Sequence, residues 1–381
     1  MADHYEVVSN APGFGSRFMN SIKGIFVGFL FVGGSLALLW WGEGRQNLAE
    51  FVKKGTLIAS TQPATLAPGT LVKTAGKIHS DEIVNDDKYL QPGAQKFLKI
   101  SRSVAMYAWK EEKKTEKRGD KEVTTYDYRK EWTSMPSDSG RFYDGAGHQN
   151  PKMAEDDASF QVKTATIGSL VFEADKTDFH GGSDLAVTEA LLKQDASSVR
   201  QLSQGAIYIP YNVSPATPSP HNAASAPEVG DLRIQYSYFP NDVEGSAVGD
   251  WDGSKIVPHL YRETETYLGA FPGSLQEFQA RLQSEHNLIT WIIRIATFLM
   301  LWMGLNLILG PILMVMDSIP IVGGAGRFVI MLFTGAVALV LWILTLLLAN
   351  LWLALIVVGV LVIGFLVYGK LKKKPVAVPA T

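Results

Sequence analysis

Residues 24–41 read GIFVGFLFVGGSLALLWW and carry no charged side chain. At about 1.5 Å per helical residue the run is close to the roughly 30 Å of a bilayer's hydrocarbon core. Residues 328–368 are equally free of charge. Residues 288–309 (LITWIIRIATFLMLWMGLNLIL) hold one charge, Arg294, in the first two turns, where a guanidinium can snorkel to the interface. Between the first run and residue 288 lies a polar, aromatic-spotted segment of the kind that folds in water. The reading is a membrane protein of the α+β class: four transmembrane helices with a large β-rich extramembrane domain between helices 1 and 2.

The boundaries follow from the same pattern. Residues 1–23 form a cytoplasmic N-terminal tail, 24–41 transmembrane helix 1, and 42–287 the β-rich extracytoplasmic domain. Residues 288–309 are helix 2, and 310–327 a cytoplasmic-side interfacial loop. The apolar run 328–368 is too long for one span and divides near Ala349 and Asn350, its most polar point, into helix 3 (328–349) and helix 4 (350–368). Residues 369–381 are a basic cytoplasmic tail. Gly42-Glu43-Gly44-Arg45 after the first run is not a small-x-small cleavage site, so the first span is a retained anchor. Arg17 and Lys23 before helix 1, and Lys370, Lys372, Lys373 and Lys374 after helix 4, place both termini in the cytoplasm.

Within 42–287 the β-branched and aromatic content marks strands at 98–109 and 123–132, joined by the charged segment 110–122 turning at Gly119-Asp120. Tyr126, Tyr128 and Trp132 share one parity and line one face. Further strands are expected at 160–172, 205–210 and 231–239, with a hairpin at 243–261 turning at Asp252-Gly253. A surface helix is expected at 186–200 and a flexible Pro-rich loop at 210–227. Ser274 and Glu277 form a capping-box pattern. It opens a helix at 274–287 that runs on into helix 2 and holds the domain against the bilayer.

Composition narrows the chemistry. The formal net charge is −2, so no nucleic-acid footprint is expected, and the absence of cysteine removes disulfides, thiolate metal sites and cysteine nucleophiles. None of the seven histidines pairs at zincin spacing, Asp178-x-His180 reads as polar surface, and no phosphate-cradling glycine motif is present. No catalytic, cofactor-binding or metal residue is assigned. The candidate docking or interhelix residues are Glu43, Arg45, His148, Asn306, Asp317 and Asn350. Glu43 and Arg45 sit where helix 1 enters the domain, and Arg45 can grip a carboxylate or a lipid phosphate bidentately. His148 lies in the distinctive turn GHQNP (147–151). Asn306 and Asn350 can hydrogen-bond between helices.

Several short motifs recur in a fixed order: Glu43-Gly44-Arg45, Met106-Tyr107-x-Trp109, YDYRKEW at 126–132, GHQNP at 147–151, PEVGDLRIQY at 227–236, and MGLNL at 303–307 followed by Asp317 and Pro320. Together they resemble the transmembrane protein 43 family from about residue 24 to 350. The resemblance implies four spans and a large lumenal or periplasmic-side domain. Animal members reside in the endoplasmic reticulum and inner nuclear membrane, associate with emerin and lamins, and are regarded as self-associating scaffolds. The tails and the longer Pro-rich loop depart from them and suggest a bacterial homologue, for which those partners do not transfer. The expected function is a non-enzymatic integral membrane scaffold that organises membrane protein complexes. Its partners are the lipid bilayer, further copies of itself and other membrane proteins, without nucleic acid. It would sit in the inner membrane with a periplasmic domain if bacterial, or in the endoplasmic reticulum or inner nuclear membrane if eukaryotic. The alternative is a channel or transporter formed by the four-helix bundle or its oligomer.

Overall fold

The computed structural model describes residues 3–10, 13–61, 66–91, 95–118, 121–193, 199–213, 221–317 and 322–350, with Leu355. The chain divides into two units, one of Met1–Ala11 and Leu48–Leu282, the other of Pro12–Asn47 and Gln283–Thr381. The first is the β-rich domain and the second the helical, membrane-type unit. Apart from Asn350 and Leu355, transmembrane helix 4 and the basic tail lie outside the described residues, as do Gly119-Asp120 and the centre of the Pro-rich loop.

The domain contains two eight-stranded sheets among the described residues. In the first, the strands Phe97–Arg118 and Lys121–Thr133 form a long antiparallel hairpin, in register from Met106↔Thr133 to Arg118↔Lys121. The charged segment 110–122 is therefore mostly strand, with opposite charges facing across it, as in Lys110 with Glu131 at 3.0 Å and Arg129 with Glu112 at 2.9 Å. The strand Leu232–Pro240 pairs with the other edge of Phe97–Arg118, followed outward by Ala206–Ile209 and Gln201–Ser203. Ile100, Arg102, Val104, Met106 and Ala108 share one parity and face inward, where Ile207, Ile234, Tyr236, Tyr89 and Leu90 meet the apolar members. Arg102 can stand in that stripe because the buried Asp86 accepts from it at 2.7 Å and from the Tyr236 hydroxyl at 2.8 Å. Burial and the hydrogen bond to Asp86 push the Tyr236 phenol far above its usual value.

The second sheet closes on itself. Thr70–His79 pairs with Thr164–Ile167, then Leu170–Glu173, Lys255–Val257 and Val243–Trp251, and Val243–Trp251 pairs back with Thr70–His79. A closed ring has no edge along its own circuit. Val72, Ile78, Ile167, Phe172, Trp251 and Ile256 fill its interior. Gly245 and Gly249 leave room for the chain packed beside Val243–Trp251: a Cβ at Gly245 would stand 2.6 Å from the Phe271 carbonyl oxygen, and one at Gly249 2.6 Å from that of Val257. Residues 160–172, expected as one strand, instead divide among Ala158–Gln161, Thr164–Ile167 and Leu170–Glu173. The chain changes sheet after the first of these and reverses at Gly168, whose φ of +61° lies in the left-handed region.

Five helices are described: α1 (Phe14–Glu43), α2 (Ala49–Lys54), α3 (Leu275–Ile308), α4 (Gly310–Asp317) and α5 (Val322–Ala349). The α3 helix opens with the capping box: the Ser274 amide and hydroxyl each donate to Glu277 at 2.8 Å, and the Glu277 amide donates to the Ser274 hydroxyl at 3.3 Å. Its first turns belong to the domain, where Phe278 and Leu282 pack with Phe51 and Val52 of α2 and with Tyr267.

Three expectations are corrected. The described part of 186–200 contains no helix; the Leu191 and Leu192 amides close a single turn on the Thr188 carbonyl, and Leu192 then bridges to Leu90. The interfacial loop 310–327 contains α4 and the start of α5, since an apolar stretch beside a bilayer satisfies its backbone polar groups best as helix. The N-terminal tail is not free. His4–Asn10 forms a strand paired antiparallel with Lys121–Thr133, from His4↔Asp127 to Asn10↔Lys121. This covers what would be a long exposed sheet edge, and the Glu6–Arg118 ion pair at 3.1 Å adds to it.

The absence of cysteine makes this pairing directly testable. Ser9 and Glu122 are register partners, at the separation a disulfide spans. The double variant Ser9→Cys/Glu122→Cys should cross-link under mild oxidation, and Ser9→Cys/Lys114→Cys should not. A cross-link that forms in detergent but never in native membranes would show that the strand pairs only once the bilayer is removed.

Candidate functional site

Three helices of the described residues are long and apolar enough to cross a membrane: Phe18–Glu43, Leu275–Ile308 and Gly326–Ala349. Within the helical unit α1 and α3 cross in backbone contact. A Cβ at Gly28 would stand 2.7 Å from the Gly304 carbonyl oxygen, and one at Gly304 2.9 Å from that of Gly28. Small residues at such a crossing allow the van der Waals packing that holds helices together in lipid.

The polar groups of this unit gather at two levels. At the end of α1, Glu43 accepts a bidentate pair from Arg294 of α3, Nε at 2.6 Å and Nη2 at 2.8 Å. Asn350, just past the end of α5, donates to the same carboxylate at 2.7 Å. The Glu43 side chain is 4% exposed and that of Arg294 24%. Fork-to-fork geometry is the strongest form of ion pair and fixes the orientation of both partners. The Trp342 indole of α5 donates to the Arg294 carbonyl oxygen at 3.1 Å, so the helix carrying the guanidinium is gripped from a second direction. A cavity of about 250 Å³ opens beside the pair, lined by Asn47, Gln283, His286, Asn287, Trp291 and Arg294 together with Gly42, Glu43, Thr290 and Asn350. Amides chain along its wall: Asn47 donates to Gln283 and Gln283 to Asn287, each at 2.8 Å.

The second level is nearer the other end of α3. Thr334 of α5, 2% exposed, bonds with Asn306 Oδ1 at 3.1 Å, and the Trp302 indole donates to the Thr334 hydroxyl at 3.2 Å. Asn306 also donates back to the Trp302 carbonyl at 2.8 Å.

Of the six candidate residues, Glu43 and Asn350 meet directly, and Asn306 bridges α3 to α5. Arg45 lies two residues beyond Glu43 but does not share its ion pair; its Nη1 is buried and has no hydrogen-bond partner among the described residues. Asp317 ends α4, and its side chain lies outside the described residues. Arg294, expected near the end of its span, lies there level with Glu43; what the sequence reading missed is the pairing of the two, and an isolated charge in an apolar run, with a carboxylate at the end of another span, was the available signal.

His148 belongs to the domain. It is fully buried, stacked on Tyr128 with ring centroids 3.7 Å apart and edge-on to Trp109. Its Nδ1 lies 3.1 Å from the Asp144 carbonyl oxygen. Asn150 of the same turn exchanges hydrogen bonds with the Trp109 backbone at 2.7 and 2.8 Å, so the turn is clipped to the hairpin. Burial and the bond to Glu111 push the Tyr128 phenol up to about 12. Tyr5 of the N-terminal strand donates to Asp144 at 2.6 Å.

These features define a class: a membrane protein with a closed β-ring domain inserted after its first span, and helices tied together by a buried ion pair. A family model described as Transmembrane protein 43 matches residues 106–354. Transmembrane protein 43 of Mus musculus is 28% identical over 346 residues, covering 84% of this chain and 82% of its own length. That of Homo sapiens is 27% identical over 343 residues with the same coverage. The Drosophila melanogaster homolog is 30% identical over 304 residues, covering 74% of this chain and 75% of its own. No solved structure matches. The chain belongs to the transmembrane protein 43 family.

Two outcomes follow from the geometry. Glu43→Ala leaves the Arg294 guanidinium in an apolar setting without its counterion and should destabilise the detergent-solubilised protein by about 3 kcal/mol. The double variant Glu43→Gln/Arg294→Gln should recover much of that loss, as read by thermal unfolding. In the domain, the Tyr5 hydroxyl, aided by the Gly147 amide and His148 against a cost of burial, holds the Asp144 carboxyl below its usual range. A carboxyl depressed in the folded state stabilises fully above the unfolded value and loses its effect as pH falls through the folded one. Amide exchange at residues 4–10 should therefore quicken below about pH 4, and Asp144→Asn should show the fast exchange already at neutral pH.

Proposed function

We propose that the protein is a non-enzymatic membrane scaffold, with four transmembrane helices once residues 350–368 are counted, that self-associates and organises other membrane proteins around its β-rich domain. The observation that supports this reading is the fate of the polar groups in the helices. Glu43, Arg294 and Asn350 bond to one another, as do Asn306, Thr334 and Trp302. A conducting path needs polar groups turned toward a lumen, where they replace an ion's hydration. Here they are committed to fixing helix against helix, as a rigid support requires. The domain offers the contact surface: a hairpin of alternating charge and two sheets large enough to keep their shape while docking. Its placement on the extracytoplasmic face is part of the proposal.

The test is purification of the full chain in mild detergent and in nanodiscs, with particle mass by light scattering and mass-spectrometric identification of co-purifying chains. An assembly larger than one chain, with reproducible membrane-protein partners, is expected. A strictly monomeric particle without partners would overturn the scaffold. Ion flux in liposomes above an empty-vesicle control would favour a channel instead.

A further inference from the structure

We propose that the cavity at the other end of the helical unit from the Glu43–Arg294 pair holds an anionic phospholipid, with Arg327 gripping the phosphate group and an acyl chain lying along methionine side chains. The inference does not depend on the scaffold reading.

Three observations carry it. The first is the chemistry of the cavity, which measures about 350 Å³ and is formed within the helical unit by α1, α3, α4 and α5. Arg327, Asn20, Ser21 and Asn306 supply its polar lining, and no carboxylate lines it among the described residues. A guanidinium offers five N–H donors, so it can hold a phosphate bidentately while its bonds within the protein stand. Asn306 gives one N–H to the Trp302 carbonyl, and its oxygen accepts from Thr334, which leaves its second N–H for an occupant. The apolar lining includes Met303, Met314 and Met331, flexible side chains that adapt to an occupant of variable shape. Met303 and Met331 are also exposed on the outside of the unit, where acyl chains lie. An occupant that fits is anionic at one end and apolar along the rest.

The second observation is depth, and it identifies the source of the phosphate. Phe18 opens the first described span, Ile308 closes the second and Gly326 opens the third. Asn20, Ser21, Leu307 and Arg327 line the cavity within a helical turn of those ends. There the hydrocarbon gives way to headgroups, so a phosphate at that level is a lipid's. The third observation is charge. By sequence, residues 12–24 and 303–331 carry Arg17, Lys23 and Arg327 against Asp317 alone, and a basic surplus beside a bilayer selects anionic lipids.

The experiment titrates the detergent-purified full chain with short-chain phosphatidylglycerol, short-chain phosphatidylcholine and inorganic phosphate, following bound lipid by native mass spectrometry and thermal stability. Phosphatidylglycerol is expected to bind more tightly than phosphatidylcholine and to raise the melting temperature. Arg327→Gln should weaken phosphatidylglycerol about tenfold, the size of one lost charged hydrogen bond, and erase the preference between the lipids. Lys23→Gln removes the same charge near the same level from a residue that does not line the cavity, and should leave the preference in place. Gly24→Leu should block both lipids by filling the cavity, since a Cβ there meets its nearest neighbour, Leu307, at an ordinary 3.8 Å. If Arg327→Gln does not fold, the wild-type preference and the Gly24→Leu titration still decide. Equal binding of the two lipids, equal losses in Arg327→Gln and Lys23→Gln, or full affinity in Gly24→Leu overturns the site. Binding of inorganic phosphate without any lipid overturns the lipid as ligand and assigns the cavity to a soluble phosphate.

Discussion

The helical unit depends on one ion pair. Glu43 ends α1, Arg294 lies in α3 and Asn350 follows α5, so the three described spans are joined through a single carboxylate. In lipid no hydrophobic force drives helix to helix, and association rests on close packing and on polar bonds. The Gly28–Gly304 crossing supplies the first and the Glu43 cluster the second. They act at different depths: the glycine contact lets two backbones touch, and the ion pair sets which turn of α3 stands opposite the end of α1. Neither alone fixes register, because a glycine crossing can slide and an ion pair can pivot. The Asn306–Thr334–Trp302 bonds add a third fixed point, between α3 and α5.

The domain solves a different problem. A β-rich insertion next to a membrane has many unpaired edges, each a template for unwanted pairing. The second sheet removes its edges over five strands by closing into a ring. The first sheet cannot close, because one of its hairpin arms runs for 22 residues. Its outer edge is covered by the N-terminal strand, which is short, polar and pinned by charge at Glu6–Arg118 and by the Tyr5–Asp144 bond. That strand is the weaker device. Its ionic contacts are exposed and worth little individually, so most of its hold comes from Tyr5, which packs on Tyr128, Tyr143 and His148.

What could be read in advance follows from the range of each signal. The apolar runs gave three described spans, because a bilayer imposes one length and one composition on any crossing helix. The long hairpin, the Asp252-Gly253 turn and the Ser274–Glu277 cap were legible for the same reason: each is written within a few neighbouring residues. Residues 4–10 were missed because HYEVVSN is a strand only by virtue of an edge formed more than a hundred residues later. The closed ring was equally hidden, since closure is a relation between Thr70–His79 and Val243–Trp251 that neither strand states alone. Over its described residues the helix expected at 186–200 is absent, and a contact with Leu90, far away in sequence, fixes the backbone at Leu192.

Among the candidate residues the same divide holds. Glu43 could be singled out because it closes an apolar run, and Asn350 because it interrupts one, yet nothing local said that they would meet. Arg294 shows why. Considered alone, a guanidinium two turns into a span lowers its energy by reaching for water. Placed opposite a carboxylate with matching geometry, it does better by staying, because two oxygens accept two parallel N–H groups and the surrounding lipid strengthens the attraction. The choice between the two is made by the helix crossing, which Gly304 of α3 and Gly28 of α1 set well away from Arg294 and Glu43 along the same two helices. The small residues in the middle of the spans thus determine the electrostatics at their ends: enlarge either glycine, and the crossing opens, the pair separates, and Arg294 reverts to the behaviour an isolated arginine would have.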